Sequence, residues 1–202
     1  MAVDANGNVA VVGSTSSSDF PTKNQITVGY TVQNGTYGFA ASLAADGASL
    51  NYSSILGGGA NIGQGDQTYG SAVTFDANGN AYIAGTTVSS VLPVTPGALH
   101  TVVPSYPNDA AFVMKLGPSG NLLTSAILGN GKTVIGAAAI ALDPNGNIYL
   151  TGSAPSGWPT TAGAYIAQST QANAGTSPYV SKLRPDESAF VYSTYLCQDT
   201  SG

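Results

Sequence analysis

The stretch FDANGNAYIAGTT, from Phe75 to Thr87, decides the fold, because it occurs three times. VDANGNVAVVGST begins at Val3 and LDPNGNIYLTGSA at Leu142, which puts the aspartates Asp4, Asp76 and Asp143 at intervals of 72 and 67 residues. The segments between them recur in the same order, so one module has been copied, and repetition at a fixed long period marks a repeat architecture. Within the phrase, Asp-Ala-Asn-Gly-Asn is turn chemistry. Asn and Gly tolerate positive φ and the Asp carboxylate bonds the following amides, so the apolar runs on either side read as a β-hairpin.

Working outward, a loop of about twenty residues leads to a second hairpin. Its first strand is FAASL, AAFVMKL or YVSKL, and its second is LNYSSILG, NLLTSAILG or AFVYSTYLC. Ser42-Leu43, Lys115-Leu116 and Lys182-Leu183 match, as do Tyr52-Ser53, Thr124-Ser125 and Tyr192-Ser193. The loop carries its own marker, an apolar residue before proline: Phe20-Pro21, Leu92-Pro93 and Trp158-Pro159. The runs are too short and too β-prone for helices. Four strands per module follow, A to D in order. The expected fold is all-β, a β-propeller of about three four-stranded antiparallel blades, incomplete as a ring. The blades fall at about 1–57, 68–129 and 133–197 within a single propeller segment. Strand A is crowded with Gly, Ser and Ala, as in GSAVTF and GAAAIAL, which places it where blades converge, with strand D at the rim.

Composition narrows the function. Only 7% of residues are charged, against about 25% in an ordinary soluble domain, so the surface is built from Ser, Thr, Asn, Gln and Gly. Five basic residues, spread along the chain, form no stripe that could neutralise a phosphate backbone, and nucleic acid is excluded as a partner. A single cysteine, Cys197, allows no disulfide within the chain and no thiolate cluster. No apolar stretch reaches the length of a membrane span, and MAVDANGN is not a signal peptide.

The residues resemble the bacterial SBBP repeat, a family whose name refers to a seven-bladed β-propeller. The resemblance rests on D-x-x-G-N-x-Y-x-x-G-x-T, on Phe20-Pro21-Thr22, on the D-A-x-F-V-x-K-L of Asp109 to Leu116 and on Tyr192 to Leu196, and it covers nearly the whole chain. It implies an exported or cell-surface bacterial protein and no common catalytic residue. Departures are Leu92-Pro93-Val94 at the marker and Cys197 in place of Gly57 and Gly129.

Copy one lacks strand A, since only Met1 to Val3 precede Asp4, and the residues after Leu196 do not supply one. A short array leaves its first and last blades with a bare apolar face each. Two arrangements cover them. The chain is a piece of a longer propeller, which the missing strand favours, or two copies meet as a six-bladed ring, a homodimer with blade one of each against blade three of the other.

Candidate sites are few. DANGN and DPNGN offer hard oxygen ligands, but glycine comes fourth and no distal Glu follows, so the EF-hand spacing fails and the turns read as structural; no metal or cofactor is expected. His100, the sole histidine, stands in the loop with Tyr106 and Asp109, and no G-x-S-x-G elbow accompanies it, so no catalytic residue is assigned. Trp158 reads as packing, with an aromatic binding platform as the alternative. D to A and B to C loops share one end, so a ligand face would gather Asp66, His100, Tyr106, Asp109 and Trp158. Asp186-Glu187, the one acidic pair, sits in a C to D turn at the other end, and Asn34 and Asn51 fit the glycosylation pattern. The expected role is a non-catalytic binding or scaffolding module with a protein or glycan partner. The alternatives are a carbohydrate-binding or carbohydrate-processing propeller and a structural repeat that self-assembles through its blade faces.

Overall fold

The structure, a computed structural model, describes residues 1–26, 36–57, 67–100, 108–129, 136–169 and 175–197. Among the described residues, twelve strands form three four-stranded antiparallel sheets. β1 (Ala2–Val3), β2 (Val9–Thr15), β3 (Tyr37–Leu43) and β4 (Leu50–Leu56) make the first. β5 (Thr68–Phe75), β6 (Ala81–Thr87), β7 (Ala110–Leu116) and β8 (Leu122–Leu128) make the second. β9 (Gly136–Leu142), β10 (Ile148–Ala154), β11 (Ser177–Leu183) and β12 (Phe190–Tyr195) make the third. Strand order within each sheet follows the chain and no sheet closes on itself, so the architecture is an incomplete propeller. The expectation that copy one has no strand A is corrected. β1 is present as a two-residue strand, with Ala2 opposite Ala10 and Val3 opposite Val9, because the three residues before the turn suffice for that much pairing and no more.

Each A to B hairpin turns on its aspartate. Asp76 Oδ1 accepts the amides of Asn78 and Asn80 at 2.9 and 3.0 Å, and Oδ2 accepts the Asn80 side-chain amide at 2.8 Å. Asp4 and Asp143 repeat this with Asn6, Asn8, Asn145 and Asn147. The fourth turn residue takes φ of +86°, +76° and +79° at Gly7, Gly79 and Gly146, the left-handed region that excludes most side chains.

The sheets stack face to face through two cores. Ala40, Tyr52 and Leu56 of the first sheet meet Ile83, Phe112 and Met114 of the second. Tyr82, Val113 and Leu128 on the opposite face of the second sheet meet Ile148, Leu150 and Tyr179 of the third. Because successive side chains point to opposite faces, only the middle sheet needs apolar residues at nearly every position. AYIAG and FVMKL supply them, and Ile83, Ala84, Phe112, Val113 and Met114 are fully buried. The A strands of neighbouring sheets touch, β1 with β5 and β5 with β9, as their small residues predict. Glycine in strand B leaves room for a close neighbour: an added Cβ would strike the Phe39 ring at Gly13, the Tyr69 carbonyl and the Phe112 ring at Gly85, and the Gly136 carbonyl at Gly152.

The long loop folds back along its own sheet. Lys23 and Ser53 exchange backbone hydrogen bonds at 2.8 Å, and the Thr95 and Thr161 amides donate to the Ser125 and Ser193 carbonyls at 3.1 Å. The free edge of strand D is thereby covered, which removes a template for uncontrolled strand pairing. Ser53 Oγ adds a bond to the Pro21 carbonyl at 2.7 Å and Ser193 Oγ accepts from the Trp158 indole at 3.0 Å, whereas Ser125 Oγ is buried with no partner among the described residues.

Candidate functional site

Of the expected ligand face, His100, Asp109 and Trp158 fall among the described residues. Asp66 and Tyr106 lie outside the described residues. His100 is exposed and forms a parallel bridge with Ile127, and Asp109 is half-buried just before β7. Burial pushes the Asp109 carboxyl above its usual range. No hydrogen bond or ion pair joins these two described residues to each other. Trp158 is buried, at 2% exposure, which removes it from any ligand face. Its ring stacks on Tyr179 at 4.0 Å, its indole N–H donates to Ser181 and Ser193, and its amide donates to the Tyr195 hydroxyl at 2.8 Å. Leu92 is buried in the same role and Phe20 packs on Phe39 at 4.8 Å, so the residue before proline anchors the loop onto its own sheet.

Charged side chains pair instead on the second and third sheets, beside the A to B turns. Lys115 Nζ lies 3.4 Å from Asp76 Oδ2 and 4.7 Å from the centre of the Tyr82 ring. Lys182, Asp143 and Tyr149 repeat the cluster at 3.0 and 4.9 Å. Burial opposes ionisation of Asp76, but the Asn80 amides, the Asn78 amide and Lys115 outweigh it and hold the carboxyl below its usual range. Asp143 is held lower still by Asn147 and Lys182. With their oxygens engaged inside the turn, these carboxylates are structural. Among the described residues no group of three or more His, Cys, Asp or Glu could hold a metal ion.

One buried acid stands apart. Glu187, read above as a turn residue at the wrong end for chemistry, is fully buried between the second and third sheets. Thr124 donates to its Oε1 at 2.7 Å, while Oε2 has no hydrogen-bond partner among the described residues. Desolvation pushes its carboxyl up to about 8, against the pull of Thr124 and Lys115. Its φ of +58° is a glycine conformation, and Gly47 and Gly120 hold the same turn position in the other copies. The signal was present in the sequence. Where the turn has Gly120, the preceding sheet offers Tyr52; where it has Glu187, the preceding sheet offers Thr124. A shallow crevice of about 370 Å³ lies where Asn24 to Ile26 of the first loop approach Ser119 to Leu122 of the second sheet.

Stacked antiparallel sheets of this kind define a propeller-type repeat module. Residues 51–93 match the model of the SBBP family, described as a beta-propeller repeat, across the last strand of the first sheet and the first hairpin of the second. No curated protein matches the chain. No helix is long and apolar enough to cross a membrane among the described residues.

Proposed function

We propose that this chain is a non-catalytic β-propeller module that binds a partner or serves as a scaffold within an exported or cell-surface bacterial protein. One observation carries the reading. Most of the polar side chains that the sequence repeats are used to build sheets and join them: the aspartates close turns, Ser53 and Ser193 fasten loops to strand D, and Lys115 and Lys182 pair with the turn aspartates of their own sheets. The loops that differ between copies are then free to vary on a fixed frame, the usual way a repeat scaffold changes partners. The exported setting follows from the SBBP resemblance alone.

The test has two arms. The purified chain should turn over no chromogenic glycoside or ester, and its thermal unfolding should not change with EDTA. Turnover that disappears in His100→Ala would contradict the non-catalytic reading. Cell fractionation of the parent bacterium should place the protein in the medium or on the protease-accessible surface; confinement to the cytosol would contradict export.

A further inference from the structure

Two sheet-to-sheet interfaces lie inside this chain, and they make one contact with opposite shapes. In the first, the Tyr52 side chain on β4 lies so close to Gly120, in the turn between β7 and β8, that an added Cβ would stand 2.5 Å from the Tyr52 Cβ. In the second, Thr124 takes the place of Tyr52 and Glu187, in the turn between β11 and β12, takes the place of Gly120. There the Thr124 hydroxyl donates to Glu187 Oε1 at 2.7 Å. The turn backbone is alike in both, with φ of +87° at Gly120 and +58° at Glu187 and with their amides donating to the Gly117 and Arg184 carbonyls. The side chains differ across the whole sheet. Ala10, Ser42 and Tyr52 form one cross-strand row on the first sheet, bulky only at its last strand. Tyr82, Lys115 and Thr124 form the same row on the second, bulky everywhere but there.

The halves do not fit when exchanged singly. A glutamate in the turn against Tyr52 would overpack the contact, and a glycine against Thr124 would leave a cavity and a hydroxyl without its acceptor. Each matched pair also carries a buried polar atom with no partner among the described residues, the Tyr52 hydroxyl in one and Glu187 Oε2 in the other. Stability alone favours apolar groups at such places, so what the pairs supply is discrimination. The bonds from the long loops supply none. Asn24 donates to the Ser119 carbonyl at 3.1 Å and the Leu99 amide to the Glu187 carbonyl at 2.9 Å, and both acceptors are main-chain oxygens of a kind that every copy possesses.

We propose that these two pairs fix the order in which the copied sheets dock. Tyr52 accepts the turn that carries Gly120 and rejects the one that carries Glu187, so the first sheet stacks on the second and not on the third. Thr124 makes the opposite choice, and the third sheet goes to the second. Copied sheets need such sorting. Their strands and turns are alike enough to stack in the wrong order, within one chain or between two, and misassembly of this kind is a characteristic failure of repeat proteins. Both pairs lie inside the chain, so the sorting works whatever partner the module binds.

The experiment is urea unfolding and refolding of the 202-residue chain, with gel filtration to measure the fraction that returns to the elution position of protein never unfolded. Gly120→Glu alone should shift the unfolding equilibrium at least about tenfold away from the fold. Adding Tyr52→Thr should bring it back to within about threefold of the parent, by recreating the second pair in the first interface. That double variant is stable but holds two identical pairs, so the first sheet now accepts the third turn. After dilution from urea its misassembled fraction should rise at least about threefold. Adding Thr124→Tyr and Glu187→Gly makes the pairs differ again and should return recovery to the parent's level; Tyr192 opposite Lys182 shows that a tyrosine fits across from the lysine. A failure of Tyr52→Thr to rescue Gly120→Glu, a double variant that refolds as cleanly as the parent, or a quadruple variant that refolds no better than the double would each overturn the proposal.

Discussion

Replacing Glu187 by Gln should remove a pH dependence that the buried carboxyl imposes on the whole fold. The gap between an ordinary glutamate near 4.5 and about 8 in the folded chain corresponds to roughly 5 kcal/mol, at about 1.4 kcal/mol per pH unit. Water reaching the turn once the group ionises should cut this to about 2–4 kcal/mol. The sign follows from proton uptake. Below pH 4.5 both folded and unfolded chains hold the proton and the fold has its full stability. Between 4.5 and about 8 the unfolded chain releases the proton while the folded chain keeps it, so stability falls as pH rises. Above about 8 the loss is complete. Gln keeps an acceptor for the Thr124 hydroxyl and never ionises. Urea unfolding should therefore find Glu187→Gln within about 1 kcal/mol of the parent in mild acid. In mild alkali it should be more stable by about 2–4 kcal/mol, with a midpoint raised by roughly 5–15 °C on heating. Every other titrating group is common to both proteins, including the neighbouring Lys115 and Asp186, so the difference isolates Glu187. A difference that does not change with pH would refute the buried-acid reasoning.

Other substitutions probe the remaining contacts. Trp158→Ala removes a buried ring stacked on Tyr179 and the indole N–H donated to Ser181 and Ser193, and should cost about 3–5 kcal/mol by chemical denaturation. Asp76→Ala takes the acceptor from two turn amides and the partner from Lys115, and should cost about 1–3 kcal/mol. Because that carboxyl is held below its usual range, its contribution should be present above pH 3.8 and be lost as pH falls through the lower folded value. Gly152→Ala should unfold the third sheet, since a Cβ there collides with the Gly136 carbonyl. Gly47→Ala meets no neighbour and should cost only about 1 kcal/mol for its left-handed backbone.

Strand order and turn positions were legible in the sequence because they are local. Asp76, Asn78, Gly79 and Asn80 satisfy one another within five residues, so the hairpin can be read without its surroundings. The packing role of Phe20, Leu92 and Trp158 was legible because repetition in every copy points to a structural task. What escaped was the relation between copies. Ala10 opposite Ser42 becomes Tyr82 opposite Lys115 and Tyr149 opposite Lys182, a change of cross-strand pairs that comparing the copies position by position would have shown. Glu187 escaped for a similar reason. An acidic residue in a turn reads as solvated until the next sheet is placed over it, and that placement joins residues 63 positions apart. The long loops were expected to carry a ligand face, yet their first halves pair with strand D, a long-range bond that composition does not reveal.

The claim beneath all of this is that the second sheet lies between the other two, covered on both faces. Native-state hydrogen exchange, at a concentration where the chain is monomeric, tests it most directly. The amides of β6 and β7, around Ile83 and Val113, should exchange slowest and only through global unfolding, with the outer sheets opening first. Exchange from β6 and β7 as fast as from β2, β3, β10 and β11 would contradict the stacking and the account built on it.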